Sequence, residues 1–183
     1  ECARAFAQRG ANLVISDVNA TALESARAGI AATGVQCFAR TCDVANEESV
    51  AGFARAVHES VGPVDVLVNN AGNFEPGSVH NEPEGNLEDM IAVNLYGAYH
   101  LTRKLIGAMM KQKSGHIFNM CSIASLNAYK DGGAYSISKF ALHGFSKNLR
   151  EEMKEHNIKV TSVFPGATLT DSWGDYDNST HRI

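Results

Sequence analysis

No stretch of this 183-residue chain approaches the roughly 20 consecutive apolar residues that a membrane-spanning helix needs, and its first residues do not read as a signal peptide. A soluble, cytoplasmic protein with no membrane partner is expected. Lysine and arginine total 16 against 20 aspartates and glutamates, and no basic stripe offers a footprint for phosphate backbones, so nucleic acid is excluded as a partner. The four cysteines, Cys2, Cys37, Cys42 and Cys121, are not at zinc-ligand spacing. They read as reduced structural thiols in or beside core segments. None of the seven histidines pairs with a cysteine or acid at ligand spacing, and no metal site is predicted. Internal repeats and low-complexity linkers are also missing, which leaves a single domain over 1–183.

What is present alternates. Residues 11–17 read as a strand, Asn19 as the cap of a helix over 22–32, and Gly34 as its stop. Residues 35–42 read as the next strand. Asn46, Glu47 and Glu48 open a helix to about Val61, Gly62 and Pro63 punctuate the join, and 64–68 is a third strand. After a polar loop over 72–85, Asn86 is expected to cap one long helix carrying Met90, Ile91, Leu95, Leu101, Leu105 and Met109. A strand over 117–121, a helix from Ala134 to about His156 and a strand over 158–164 follow. Strands alternating with helices of ten or more residues predict parallel pairing with helices on both faces.

Two features carry chemistry. Tyr135 and Lys139 are four apart in the helix from Ala134 and share a face. A phenol alone titrates near about 10, and a neighbouring ammonium that stabilises the phenolate makes it useful for proton exchange with a carbonyl or alcohol oxygen. Ser122 ends the apolar run 115–121. Carboxyl ends of strands in an open parallel sheet face the ligand crevice, which brings Ser122 and the start of the Tyr135 helix to one rim.

Ser122, Tyr135 and Lys139 at these spacings, together with the segment Asn69, Asn70, Ala71, Gly72 and the pair Pro165, Gly166, resemble the short-chain dehydrogenase/reductase family along essentially the whole chain. The resemblance implies a Rossmann-type doubly wound parallel sheet and nicotinamide-dependent interconversion of an alcohol and a carbonyl. It assigns Ser122, Tyr135, Lys139 and Asn94 to catalysis, with Asn94 holding a water that relays protons to Lys139. It assigns Asp43 and Val44 to adenine, Asn70, Ala71 and Gly72 to the length of the cofactor, Tyr135 and Lys139 to its ribose end, and Pro165, Gly166, Thr168 and Thr170 to the nicotinamide. Asn69 is read as a brace of the sheet. A carboxylate at Asp17, with no arginine after it, accepts from a ribose 2′-hydroxyl and repels a 2′-phosphate, which favours NAD over NADP.

The resemblance also implies parts this sequence does not contain: a first strand with a glycine-rich turn, placed between the strands ending at Asp17 and Asn69, and a last strand with a substrate-covering segment. Residues 1–10 read as the rest of the helix that would follow that turn, so an internal fragment, inactive alone, is expected. Trp173 and Tyr176 are candidates for the substrate pocket or for an exposed tail. A small alcohol or ketone is the expected substrate and a homodimer or homotetramer the expected assembly. A non-catalytic NAD-sensing protein and a nucleotide-sugar lyase or epimerase are the alternatives.

Overall fold

The computed structural model describes residues 1–166 and 168. Thr170, Trp173 and Tyr176, singled out above, lie outside the described residues. Among the described residues five strands alternate with helices: α1 Cys2–Ala7, β1 Leu13–Ile15, α2 Ala20–Ala31, β2 Cys37–Ala39, α3 Glu47–Ser60, β3 Val66–Asn69, α4 Asn86–Ile91, α5 Gly97–Gln112, β4 Gly115–Met120, α6 Gly133–Met153 and β5 Ile158–Val163. All described ladders are parallel. β1 pairs with β2, and β3, β4 and β5 pair in that order. Among the described residues no ladder joins β1 to β3, which is where the resemblance places a further strand.

Local signals set the helix starts. The side chains of Asn19 and Asn46 accept from the amides of Ala22 and Ser49 at 3.0 and 2.9 Å, satisfying donors that the first turn leaves open. The expected cap at Asn86 is one residue late. Gly85 caps α4 with φ of 87°, a left-handed conformation in which an asparagine gains no advantage over glycine, and Asn86 is the first helical residue and buried. The single long helix expected there is two helices joined by a π turn, Ala92–Tyr96, in which the Gly97 amide reaches back to Ala92 O.

The core lies between the three-stranded sheet and α3, α5 and α6. Leu67, Ile117 and Val160 stand in register across β3, β4 and β5. They pack with Val50, Phe53 and Val57 of α3, Leu105 and Met109 of α5, and Leu149 and Met153 of α6, while Val14 of β1 and Phe38 of β2 close on the same cluster. Removing some 25 cal/mol of cost per Å² of buried apolar surface makes this cluster the main stabilising term. The strands alternate rather than running apolar on both faces. His116, Phe118 and Thr161 point to the other side and are only partly buried, with the His116 ring stacked on Phe118 at 3.9 Å.

One level nearer the carboxyl ends, the layer turns polar. Asn69 Nδ2 donates to Asn119 Oδ1 at 2.7 Å and to Thr102 Oγ1 at 3.0 Å, and Asn119 Nδ2 donates to Ser146 Oγ at 2.7 Å. Ser146 Oγ in turn donates to Leu142 O at 2.9 Å. Buried amides must find partners, and this chain of them bolts α5 and α6 to the ends of β3 and β4. Asn69 thus braces the sheet as expected, through partners the sequence did not reveal. The cysteines divide: Cys42 and Cys121 are buried, Cys37 is half-buried and Cys2 is exposed. Cys2 lies on α1, which buries only Ala7. Burial pushes the Cys37, Cys42 and Cys121 thiols up, which keeps them protonated.

Candidate active site

The strand ends and two helices converge on Gly72. A Cβ at that position would lie 2.9 Å from Asn94 Oδ1 and 3.3 Å from Lys139 Nζ, so only a bare backbone passes between them. Asn94, 1% exposed, sits in the π turn, a widened turn of the kind that recurs at functional sites. Its Oδ1 accepts from Asn73 N at 2.8 Å, and its Nδ2 donates to Asn73 O at 3.1 Å and to Ser138 Oγ at 2.9 Å. The carboxamide therefore clamps the loop after β3 to α6.

Lys139 is 6% exposed. Its Nζ donates to Met120 O at 2.9 Å and stands 5.8 Å from the centre of the Tyr135 ring. Burial holds the Lys139 ammonium below the usual lysine range, with the nearby Cys121 acting weakly the other way. The Tyr135 ring is half-buried and meets Phe74 edge-on at 4.8 Å. Ser138 Oγ, bonded to Asn94, donates to Tyr135 O at 2.7 Å, so one chain of hydrogen bonds links Asn94 to the turn of helix that holds the tyrosine.

Ser122 follows β4 and caps a 3-10 turn, Ile123–Ser125, that packs on α6. Its Oγ accepts from Ala124 N at 3.1 Å, which leaves the hydroxyl proton free in direction to serve as a donor. Pro165 O accepts from Ile123 N at 3.1 Å, tying the end of β5 to the Ser122 turn, and Thr168 Oγ1 donates to Gly166 O at 3.2 Å.

At the ends of β1 and β2 the two acids also serve their turns. Asp17 Oδ1 accepts from Asn19 N at 2.8 Å and Asp43 Oδ1 from Ala45 N at 2.9 Å, and both residues are exposed. Val44 is half-buried and packs against Gly97, where a Cβ would come within 2.8 Å of it. Asn70, Ala71 and Gly72 are exposed at the end of β3. The chemistry of this rim suits a dinucleotide, since the Asp17 carboxylate, fixed by Asn19 N, can accept from a ribose hydroxyl. Sequence reasoning missed Asn73, Ser138 and Glu82, whose contacts join residues far apart in the chain. Ser138, as a small polar residue between Tyr135 and Lys139, was the one with a local signal.

Parallel strands joined by helices, with Asn94 and Lys139 meeting at the carboxyl end of β3, make an α/β fold of Rossmann type. The short chain dehydrogenase family model matches residues 1–180. The chain is 32% identical over 171 residues to sepiapterin reductase of Chlorobaculum tepidum, covering 93% of this chain and 70% of that protein. It superposes with a TM-score of 0.88 and 33% identity on 7 alpha-hydroxysteroid dehydrogenase complexed with NADH and 7-oxo glycochenodeoxycholic acid, covering 93% of this chain and 66% of that one. A metagenomic short-chain oxidoreductase in complex with NADP gives 0.84 and 36%, over 90% and 75%. The chain belongs to the short-chain dehydrogenase/reductase family of NAD(P)-dependent oxidoreductases.

Proposed function

We propose that this protein interconverts an alcohol and a carbonyl by hydride transfer, with Asn94, Ser122, Tyr135 and Lys139 as its working side chains. The observation that carries this reading is the packing of Asn94 and Lys139 around the bare backbone of Gly72, with the Tyr135 ring beside the buried ammonium. When bound, a nicotinamide cofactor supplies or accepts the hydride. Asp17, Asp43, Val44, Asn70, Ala71, Gly72, Pro165, Gly166 and Thr168 are the residues that would hold it, with Tyr135 and Lys139 at its reactive end. Asp17 makes NAD the favoured form, since its carboxylate repels a 2′-phosphate.

Tyr135 gives its hydroxyl proton to the substrate oxygen during reduction and takes it back during oxidation, while Ser122 donates a second hydrogen bond to that oxygen. The Lys139 charge stabilises the negative charge that develops on the phenolic oxygen. Asn94 connects this group to solvent through a water near Lys139. A small alcohol or ketone in the cytoplasm is the substrate class. The assembly is a homodimer or homotetramer, supported by the exposed Tyr96 and Tyr99 beside α5 and Ile137 and Phe140 on α6, which a second copy would cover.

The test is Tyr135→Phe, assayed with NAD and NADH against a panel of alcohols and ketones. Turnover should fall about 10²–10⁴-fold, with cofactor affinity nearly unchanged. Near-normal turnover removes the assignment.

A further inference from the structure

α6 begins on Gly132 and Gly133, and neither its N-cap nor its first turn carries a capping or acidic side chain. A helix of 21 residues with bare first amides needs a partner for them. The partner comes from 52 residues earlier in the chain. Both carboxylate oxygens of Glu82 accept from Ala134 N, at 2.9 and 3.2 Å. The amide they take is the one immediately before Tyr135.

The slot for this carboxylate is shaped by two glycines. At Gly133, with φ of 36°, a Cβ would fall 1.8 Å from Glu82 Oε1, and at Gly77 a Cβ would fall 2.7 Å from Glu82 Cγ. Two further bonds hold the same loop to the same helix entry: Gly77 N donates to Asp131 O at 3.0 Å, and Ser78 Oγ donates to Asp131 Oδ1. Phe74, at the start of this loop, lies edge-on against the Tyr135 ring. One carboxylate therefore fixes both the helix end below the tyrosine and the loop that packs on its ring.

We propose that Glu82 is a positioning residue for Tyr135, acting through Ala134 N and through the 74–82 loop. This rests on the role proposed for Tyr135 above. A carboxylate at a helix N-terminus also interacts favourably with the helix dipole, so the same contact serves the helix and aims its third residue.

The experiment measures kcat, KM for substrate and cofactor affinity for Glu82→Ala, Glu82→Gln and Tyr135→Phe in the enzyme, each normalised to folded protein by circular dichroism. Glu82→Ala should lower kcat about 10–100-fold, the cost of a small misplacement of a reacting group, with cofactor affinity within about twofold of the parent. Glu82→Gln keeps an acceptor for Ala134 N and should recover most of the loss. Should Glu82→Ala not fold, Glu82→Asp, one methylene too short to span the slot, takes its place with the same expected loss. A parent-like kcat in Glu82→Ala or Glu82→Asp, while Tyr135→Phe is inactive, overturns the positioning role alone. Failure of Glu82→Gln to recover activity lost in Glu82→Ala also overturns it. Full turnover in Tyr135→Phe overturns the reading on which it stands.

Discussion

Replacing Asn119 with alanine should destabilise the fold without touching the catalytic side chains. Asn119 is wholly buried in the middle strand, and its carboxamide is the central link of the polar layer. Truncation removes the 2.7 Å bond from Asn69 and the 2.7 Å bond to Ser146. Each such bond contributes about 1 kcal/mol net, and a buried group left without its partner costs about 1–3 kcal/mol. Asn69 keeps Thr102 and Ser146 keeps Leu142 O, so neither is fully orphaned and the lower end of the range applies. With a small void added, the loss comes to about 2–4 kcal/mol. Urea unfolding followed by circular dichroism measures it, and a cycle with Asn69→Ala should show coupling of about 1 kcal/mol, because both changes break one shared bond. A loss below about 0.5 kcal/mol, or strict additivity of the pair, would refute the account of this layer as a linked network.

Asp17→Ala should lower the ratio of kcat/KM for NAD over NADP, as steady-state kinetics with both cofactors would reveal; an unchanged ratio removes Asp17 as the discriminator. Gly72→Ala should cut turnover at least about tenfold, since the methyl group would press on Asn94 Oδ1, which the Asn73 amide holds in place; a parent-like rate would mean the clamp yields freely. Burial, and secondarily Lys159, holds the His116 imidazole below its ordinary range. The unfolded chain therefore takes up that proton first, so the stability tied to neutral His116 is present above about pH 6.5 and is lost as pH falls through the lowered folded value. His116→Gln should flatten the fall in urea midpoint between neutral and mildly acidic buffer, the other six histidines being common to both proteins; parallel curves would contradict this.

Much of the architecture was legible in local patterns. Asn19 and Asn46 cap as their side chains dictate, and the strands fall where short apolar runs meet glycine or small polar residues. The strands are shorter than the runs suggested, Cys37–Ala39 within 35–42 for instance, because pairing partners and not apolar character decide where a ladder stops. Tyr135 and Lys139 were readable because four residues of helix bring them together whatever else the chain does. The polar layer was not, since Asn119 inside an apolar run looks incidental until Asn69 and Ser146 arrive from 50 and 27 residues away. Glu82 left no trace for the same reason. Asn94 was visible as a polar residue in an apolar helix, but the widened turn around it follows from tertiary clamping on Asn73 and Ser138, which no window of sequence contains.

That widened turn carries one residue more than regular α winding needs. Met90, Asn94, Ala98 and Thr102 all face inward at intervals of four, a spacing that regular winding at 3.6 residues per turn would carry gradually off one side. The surplus residue between Ala92 and Tyr96 resets the phase. Deleting one of those five would return the stretch to regular α winding and leave Leu105 and Met109 facing the core, while taking Asn94 off its place between Asn73 and Ser138. Chemistry would then be lost while the fold remained, from one excised codon.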